Sequence, residues 1–113
     1  MKREFVYLPS FEASWKKCRL NEEDYKDLED ILCDNPQKGT LEKGTGGLRK
    51  LRFSLDNKGK SGGARVLYVD YTSYEKIYLI NAYPKSQKVS LTDDEKNHVK
   101  KLINKLGNEL RRK

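Results

Sequence analysis

The sequence predicts an α+β fold. In this fold, a small antiparallel β-sheet of three central strands and one N-terminal strand packs with two N-terminal helices and one C-terminal helix. One central segment alternates apolar and polar residues with the period of a strand, and two more are rich in β-branched and aromatic residues. The flanking segments instead repeat apolar residues at helical spacing. The chain of 113 residues contains no linker and no internal repeat, so we expect a single domain over residues 1–113.

The first third of the chain predicts one short strand and two helices. Residues 4–8 are apolar-rich and short, and Pro9 then opens a short helix that carries Trp15, which we expect in the core. Asn21 is a suitable N-cap for a second helix, since acidic residues follow it and complement the helix dipole. Asn35 ends this helix, because the residue before a proline is disfavoured in the helical conformation.

The middle of the chain predicts three strands, at residues 48–55, 64–71 and 76–83. In the first strand, Lys50 and Arg52 alternate with apolar residues, so both cations should share the face that points away from the apolar set. The four-residue link between the last two strands predicts an antiparallel hairpin.

The last segment predicts a long amphipathic helix. Thr92 and Glu95 have the spacing of a capping box at its start. His98 lies just before the apolar stripe, so we expect it on the helix surface. The stripe consists of Val99, Leu102, Ile103, Leu106 and Leu110.

Positive charge is concentrated in the middle of the chain. The net charge is +7, and residues 41–90 contribute +6 of it, from ten basic and four acidic side chains. Residues 1–38 have a balance of −2. This uneven distribution indicates that residues 43–88 form a basic surface for a polyanion, with RNA as the expected partner.

Three cations are predicted to form the centre of that surface. A turn after residue 55 would bring Arg65, at the start of the next strand, close to Lys50 and Arg52. Like charges opposed across a sheet are destabilising, so their clustering favours a bound anion. The alternative is a set of solvated charges at the sheet edge.

The end of the last strand supplies two further candidates. Tyr83 could stack on a base and Lys85 could contact a phosphate. Alternatively, the ring of Tyr83 packs in the core and its hydroxyl lies at the rim of the core.

The glycine-rich turn carries Lys58 and Lys60. The local Gly-Lys-Ser order is not a P-loop, because Ser54 stands where the first glycine is needed and a strand follows instead of a helix. The turn remains a candidate phosphate contact through its lysines and exposed backbone N–H groups. The alternative is a solvated hairpin tip.

Several classes of site are not expected. Cys18 and Cys33 are the only cysteines and form no metal-ligand cluster, so we expect neither zinc nor a disulfide. Neither a metal nor a cofactor is predicted. No apolar run is long enough for a membrane span, so the expected location is the cytoplasm.

Four segments resemble, in order and spacing, the RelE/HigB-type toxins of bacterial type II toxin–antitoxin systems, which belong to the RelE/ParE superfamily. The resemblance covers nearly the whole chain, and its glycine-rich segment is most similar to the HigB-like group. The segments are GTGGLRKLRF at residues 44–53, GKSGGARVLY at residues 59–68, YLINAYPK at residues 78–85 and LTDDEK at residues 91–96.

The resemblance implies a RelE-like fold and a ribosome-dependent mRNA endoribonuclease, or mRNA interferase, that inhibits translation. Such an enzyme needs no metal, because the RNA 2′-hydroxyl is the nucleophile. The family's basic positions match Lys50, Arg52, Arg65 and Lys85. The family's tyrosine beyond the last strand is missing, and Tyr83 is a candidate substitute. Arg49, Lys58 and Lys60 are predicted RNA contacts.

The general base has two candidate sources. Neighbouring cations could lower the pKa of Lys50 enough for it to accept a proton. Alternatively, Lys50 only stabilises charge, and the base is Tyr83 or a group of the ribosome.

The resemblance also implies partners. They are a cognate antitoxin with a helix-turn-helix, mRNA on the ribosome, and operator DNA bound only through the antitoxin complex. One alternative function is a non-catalytic RNA- or ribosome-binding protein that blocks translation. Another is a ParE-like gyrase poison, which the basic residues at the nuclease positions disfavour.

Overall fold

The computed structural model describes residues 2–54, 63–87 and 90–112 of the chain. Within these ranges it contains five strands and three helices. In chain order they are β1 (Glu4–Tyr7), α1 (Pro9–Lys17), α2 (Glu23–Asp34), β2 (Thr40–Leu41), β3 (Leu48–Ser54), β4 (Gly63–Tyr71), β5 (Lys76–Pro84) and α3 (Asp93–Arg111).

The strands form one sheet in the order β1-β5-β4-β3-β2. This confirms the predicted α+β class and the antiparallel order of the three long strands. Two details differ from the expectation. The sheet is mixed, since β1 pairs parallel with β5, and the two-residue β2 adds a strand beside β3.

One face of the sheet is fully covered by α1 and α2. Trp15 and Phe11 of α1 and Leu28 of α2 are buried there, and they pack with Leu51 and Phe53 of β3. The predicted inward direction of the apolar β3 residues and the core position of Trp15 are therefore confirmed. Leu55, the last residue of the predicted strand, lies outside the described residues.

The other face is covered by α3 over only part of its area. Ile103 of α3 packs on Leu48 and Val69, which face each other across β3 and β4. The Tyr71 hydroxyl donates a 2.5 Å hydrogen bond to the Ile103 carbonyl and ties β4 to the helix. Beyond this contact, towards the end of β3, the same face carries the basic side chains.

A β-bulge in β5 brings Tyr83 to that face. Opposite β5, Leu67 pairs with Asn81 but Tyr68 pairs with Leu79, so Ile80 is the extra residue. Two serines of α1 bond backbone groups at the bulge. The Ser10 hydroxyl donates to the Ile80 carbonyl at 2.7 Å, and the Ala82 N–H donates to the Ser14 hydroxyl oxygen at 2.9 Å.

Side chains bond backbone groups at the starts of two helices, although the N-cap of α2 is Glu22 and not the predicted Asn21. Asn21 and Asp24 exchange side-chain-to-backbone hydrogen bonds before α2. Thr92 and Glu95 form a complete capping box at α3. No helix in the described ranges is both long and apolar enough to cross a membrane.

Candidate functional site

Two cations of the predicted basic cluster and Tyr83 lie in one row across the sheet. Arg52 of β3 is directly opposite Arg65 of β4, and Arg65 is directly opposite Tyr83 of β5. Lys50 stands two residues before Arg52 and therefore projects from the same face. The antiparallel pairing thus brings together the three cations that the strand pattern selected.

Lys50, Arg52 and Arg65 line an open cleft of about 490 Å³. Four of its lining side chains are cations and one is a carboxylate, so the cleft favours an anionic ligand. Arg52 is exposed and Arg65 is half-buried, which leaves both guanidinium groups accessible from the solvent side. The lining residues are Lys38, Thr40, Glu42, Lys50, Leu51, Arg52 and Arg65.

Lys50 is held as an ammonium ion. Its Nζ lies 2.9 Å from Glu42 Oε1, and it also interacts with the Tyr83 hydroxyl. The hydrogen bond to Glu42 raises the pKa of Lys50, although burial opposes this shift. Of the two alternatives for the general base, a Lys50 whose pKa is lowered by neighbouring cations is therefore not supported, because the Glu42 carboxylate raises that pKa.

A tight loop between β2 and β3 places Glu42 beside Lys50. The Thr45 hydroxyl donates to the Glu42 carbonyl at 2.6 Å, and the Leu48 N–H donates to the Thr45 hydroxyl oxygen at 3.1 Å. The Glu42 N–H donates to the Leu48 carbonyl at 2.9 Å. The loop needs Gly46 at φ 78°, a left-handed conformation that other L-residues rarely adopt.

Tyr68 fixes the segment that leads into β2 and forms part of the same side of the cleft as Glu42. Its buried hydroxyl donates to the Pro36 carbonyl at 2.8 Å and accepts a hydrogen bond from the Gly39 N–H at 2.9 Å. Arg49 strengthens this loop, since its guanidinium donates to the Gly39 carbonyl at 2.7 Å. These bonds hold the segment that carries Lys38 and Thr40 against the sheet.

The structure places Arg49 away from the cleft that Lys50, Arg52 and Arg65 line. Arg49 precedes Lys50 on β3 and therefore points to the opposite side of the strand. Its guanidinium also bonds the Gln37 carbonyl at 3.1 Å. The structure thus gives Arg49 a supporting contact with the loop and does not bring it into the cleft.

The remaining predicted site residues have different positions. Tyr83 is half-buried and packs beside the apolar cluster under α3, with its hydroxyl near Lys50. Lys85 is exposed just beyond β5, and its backbone N–H donates to the Gly63 carbonyl at 3.0 Å. Lys58 and Lys60 lie outside the described residues. His98 is exposed on α3, as expected.

Sequence reasoning missed Glu42, Lys38 and Thr40 as parts of the cleft. Only the pairing of β2 with β3 reveals them, because Thr40 pairs with Lys50 and Glu42 lies one step further along the same side. The glycine-rich residues 44–47 were the available signal. They indicate a tight reversal before β3, which would have placed the preceding residues beside it.

A model of the RelE family, described as "RelE toxin of RelE / RelB toxin-antitoxin system", matches residues 11–112. The chain belongs to the RelE toxin family. This RelE-family toxin is therefore one component of a toxin–antitoxin system, and its family membership implies an antitoxin partner.

A solved structure agrees with this assignment at the level of the fold. The E. coli toxin RelE, in a double mutant studied in the free state, superposes with a TM-score of 0.54 at 16% sequence identity. The match covers 74% of this chain and 83% of the E. coli chain. At this identity the comparison supports the fold of the RelE-family toxin and does not extend to its site residues.

Proposed function

We propose that this RelE-family toxin is an endoribonuclease that cleaves mRNA on the ribosome and so inhibits translation. The observation that carries the proposal is the direct cross-strand pair of Arg52 and Arg65 in an open cleft. Two like charges in this position destabilise the sheet unless an anion lies between them. A phosphate of the RNA backbone supplies that charge.

The two arginines are suited to hold the phosphate that reacts. A guanidinium is planar, permanently charged and able to bond two oxygens of one phosphate. In the transition state the phosphorus carries more negative charge on its oxygens than in the ground state. Donors fixed on two neighbouring strands stabilise that added charge without rearranging.

RNA supplies its own nucleophile in this scheme. The 2′-oxygen forms a bond to the adjacent phosphorus while the bond from phosphorus to the 5′-oxygen breaks, which leaves a 2′,3′-cyclic phosphate and a 5′-hydroxyl. In this scheme Tyr83 protonates the leaving 5′-oxygen. The negative charge that remains on its phenol oxygen would then lie beside the Lys50 ammonium.

The partners follow from this function. The substrate is mRNA bound to the ribosome, so the proposed location is the cytoplasm. We expect the antitoxin to be a helix-turn-helix protein encoded beside this gene and to neutralise the toxin by direct contact. Operator DNA would be bound only through the antitoxin complex.

The test is to induce the toxin in cells and to map new RNA ends. Cleavage predicts new 5′-hydroxyl ends within translated mRNA, and an inhibitor that prevents ribosome loading should abolish them. Arg52→Ala and Arg65→Ala should each lose these ends. Lys26→Ala, which removes an exposed cation of α2 on the other side of the sheet, is the matched control and should keep them.

Other outcomes would point to the alternatives. Growth arrest and ribosome binding without new RNA ends would contradict cleavage and indicate a translation blocker. Arrest accompanied by a DNA-damage response would instead indicate gyrase as the target.

A further inference from the structure

We propose that Glu42 is the general base of the reaction, the carboxylate that takes the proton from the attacking 2′-hydroxyl. This inference rests on the proposed function, because it assigns a role within RNA cleavage. It also adds a role that the proposed function left unassigned. The cations explain how the phosphate is held, but they do not explain which group accepts the proton of the 2′-hydroxyl.

Glu42 is the only carboxylate among the described residues that line the cleft. An arginine is protonated at every pH at which the protein is folded, so Arg52 and Arg65 cannot accept the proton. Lys50 cannot accept it either, since its ion pair with Glu42 keeps it charged. A carboxyl group is normally ionised at neutral pH and is ready to act as an acceptor.

The ion pair with Lys50 leaves Glu42 available to a substrate. The two side chains keep 25% and 30% of their surface exposed, and pairs in such positions contribute only about 0–1 kcal/mol. Lys50 contacts the Oε1 atom, and an ionised carboxylate has about four acceptor sites on its two oxygens. Glu42 can therefore bond a ribose hydroxyl while it keeps Lys50.

Lys50 connects the proposed base to the proposed acid. An ammonium has three N–H donors, so Lys50 can bond Glu42, Tyr83 and one oxygen of the RNA together. In the reaction Glu42 gains the 2′-hydroxyl proton and Tyr83 loses a proton to the 5′-oxygen. Both groups then return to their starting states by exchange with solvent, so protons balance over a turnover.

The backbone around Glu42 is fixed before substrate binds. Its N–H and its carbonyl are both bonded within the loop, to Leu48 and Thr45 respectively. A base held in position avoids the loss of conformational freedom that a mobile side chain would incur on binding. The loop thus positions the carboxylate on the same side of the sheet as the arginine pair.

The charged groups around Glu42 come from four parts of the fold. Among the described residues that line the cleft or contact the loop, these groups are all lysines or arginines, which ordinarily stay protonated through acidic and neutral pH. An acidic limb in the rate profile that disappears with the carboxylate can therefore be assigned to Glu42. The groups are Lys38 before β2, Lys50 and Arg52 of β3, Arg65 of β4, and Lys96 and Lys100 of α3, whose stems contact the loop at Gly44 and Gly46.

The experiment compares single-turnover cleavage by the wild type and Glu42→Gln on purified ribosomes carrying a defined mRNA, from acidic to mildly alkaline pH. Glutamine keeps the size and can still accept a bond from Lys50, but it cannot take a proton. We expect the rate to fall by about 10²–10⁴-fold. We also expect the acidic limb of the wild-type profile to disappear. Glu109→Gln, which alters an exposed carboxylate of α3, should match the wild type.

Two results would overturn the assignment of Glu42. One is a rate for Glu42→Gln close to that of the wild type. The other is a lower rate whose acidic limb is unchanged, which would show that Glu42 only positions Lys50. Failure of the wild type itself to cleave would instead overturn the proposed function, so the two failures are distinguishable.

A second variant tests the assignment of Glu42 in case Glu42→Gln does not fold. If Glu42→Gln does not fold, Glu42→Ala is assayed with added formate, a small carboxylate that can occupy the vacated space. Restored cleavage supports Glu42 as the base, and cleavage that formate leaves unchanged contradicts it.

Discussion

The two halves of the α3 side of the sheet are built from the same strands but have opposite properties. Near the start of β3, Leu48 and Val69 face each other under Ile103 and are almost fully buried. Four residues along β3 the same pairing sets Arg52 against Arg65, which line the open cleft and which no helix in the described part of the chain covers. The half covered by α3 contributes to stability, while the half with the arginine pair carries charge that folding alone does not require.

The contrast shows how a small toxin can separate stability from function. The face packed by α1 and α2 and the half covered by α3 supply the apolar burial that the fold needs. The open half is then free to concentrate like charge. The loop that carries Glu42 joins the halves, because Gly44 and Gly46 lie against Lys96 and Lys100 of α3.

The largest expected effect is on the open half. Arg65→Ala should lower ribosome-dependent cleavage by about 10²–10³-fold, the usual cost of removing one fixed donor to a transition-state anion. It should leave the free energy of unfolding unchanged or slightly increased, because it removes the repulsion from Arg52. RNA cleavage and urea unfolding of the same variant measure both. A marked loss of stability would show that Arg65 also supports the fold.

The next effect concerns the loop that joins the halves. Gly46→Ala should destabilise the protein by about 1–2 kcal/mol, since alanine is strained in the left-handed conformation. Its Cβ would also lie 3.4 Å from the Lys100 side chain. The variant should cleave more slowly than wild type even where fully folded, because Glu42 is displaced. Thermal unfolding and cleavage assays test this, and unchanged cleavage would separate the loop from the site.

Much of this contrast could be predicted from the sequence, because it follows from patterns within short segments of the chain. Alternation along β3 placed Lys50 and Arg52 on one face, and the order of the strands brought Arg65 to them. Neither inference needed a distant contact. The side-chain bond of Asn21 at the start of α2 and the capping box at Thr92 were also readable, because each links residues only three positions apart.

The features that sequence did not predict depend on pairing across the sheet. The two-residue β2 is too short for a periodic pattern, so Glu42 could not be placed beside Lys50. The bulge at Ile80 is stabilised by serines about 70 positions earlier in the chain. The sequence also left open whether the pKa of Lys50 is lowered, because the carboxylate that raises it was not visible.

A smaller effect is expected in the covered half. Ile103→Val removes one buried methylene between α3 and the sheet and should cost about 0.5–1.5 kcal/mol. Cleavage by the folded protein should not change, since Ile103 does not line the cleft. Chemical denaturation measures the stability. A fall in cleavage larger than the fall in folded fraction would show that α3 packing controls the site.

The smallest effect is expected at Tyr71, whose hydroxyl donates a hydrogen bond from β4 to α3. Burial is the main cause that raises the pKa of Tyr71, to about 12 from an ordinary value of 10.0. Below pH 10 the phenol is neutral in both states and its contribution to stability is complete. Between pH 10 and 12 the unfolded chain loses the proton first, so stability falls as the pH rises.

Tyr71→Phe should cost about 0.5 kcal/mol at neutral pH by removing the bond to Ile103. It should also make the alkaline fall in unfolding free energy shallower, and burial of Tyr7, Tyr25 and Tyr68 should preserve part of that fall. Urea unfolding at neutral and alkaline pH measures both effects. An unchanged alkaline slope would mean that Tyr71 does not fasten the covered half through its neutral phenol.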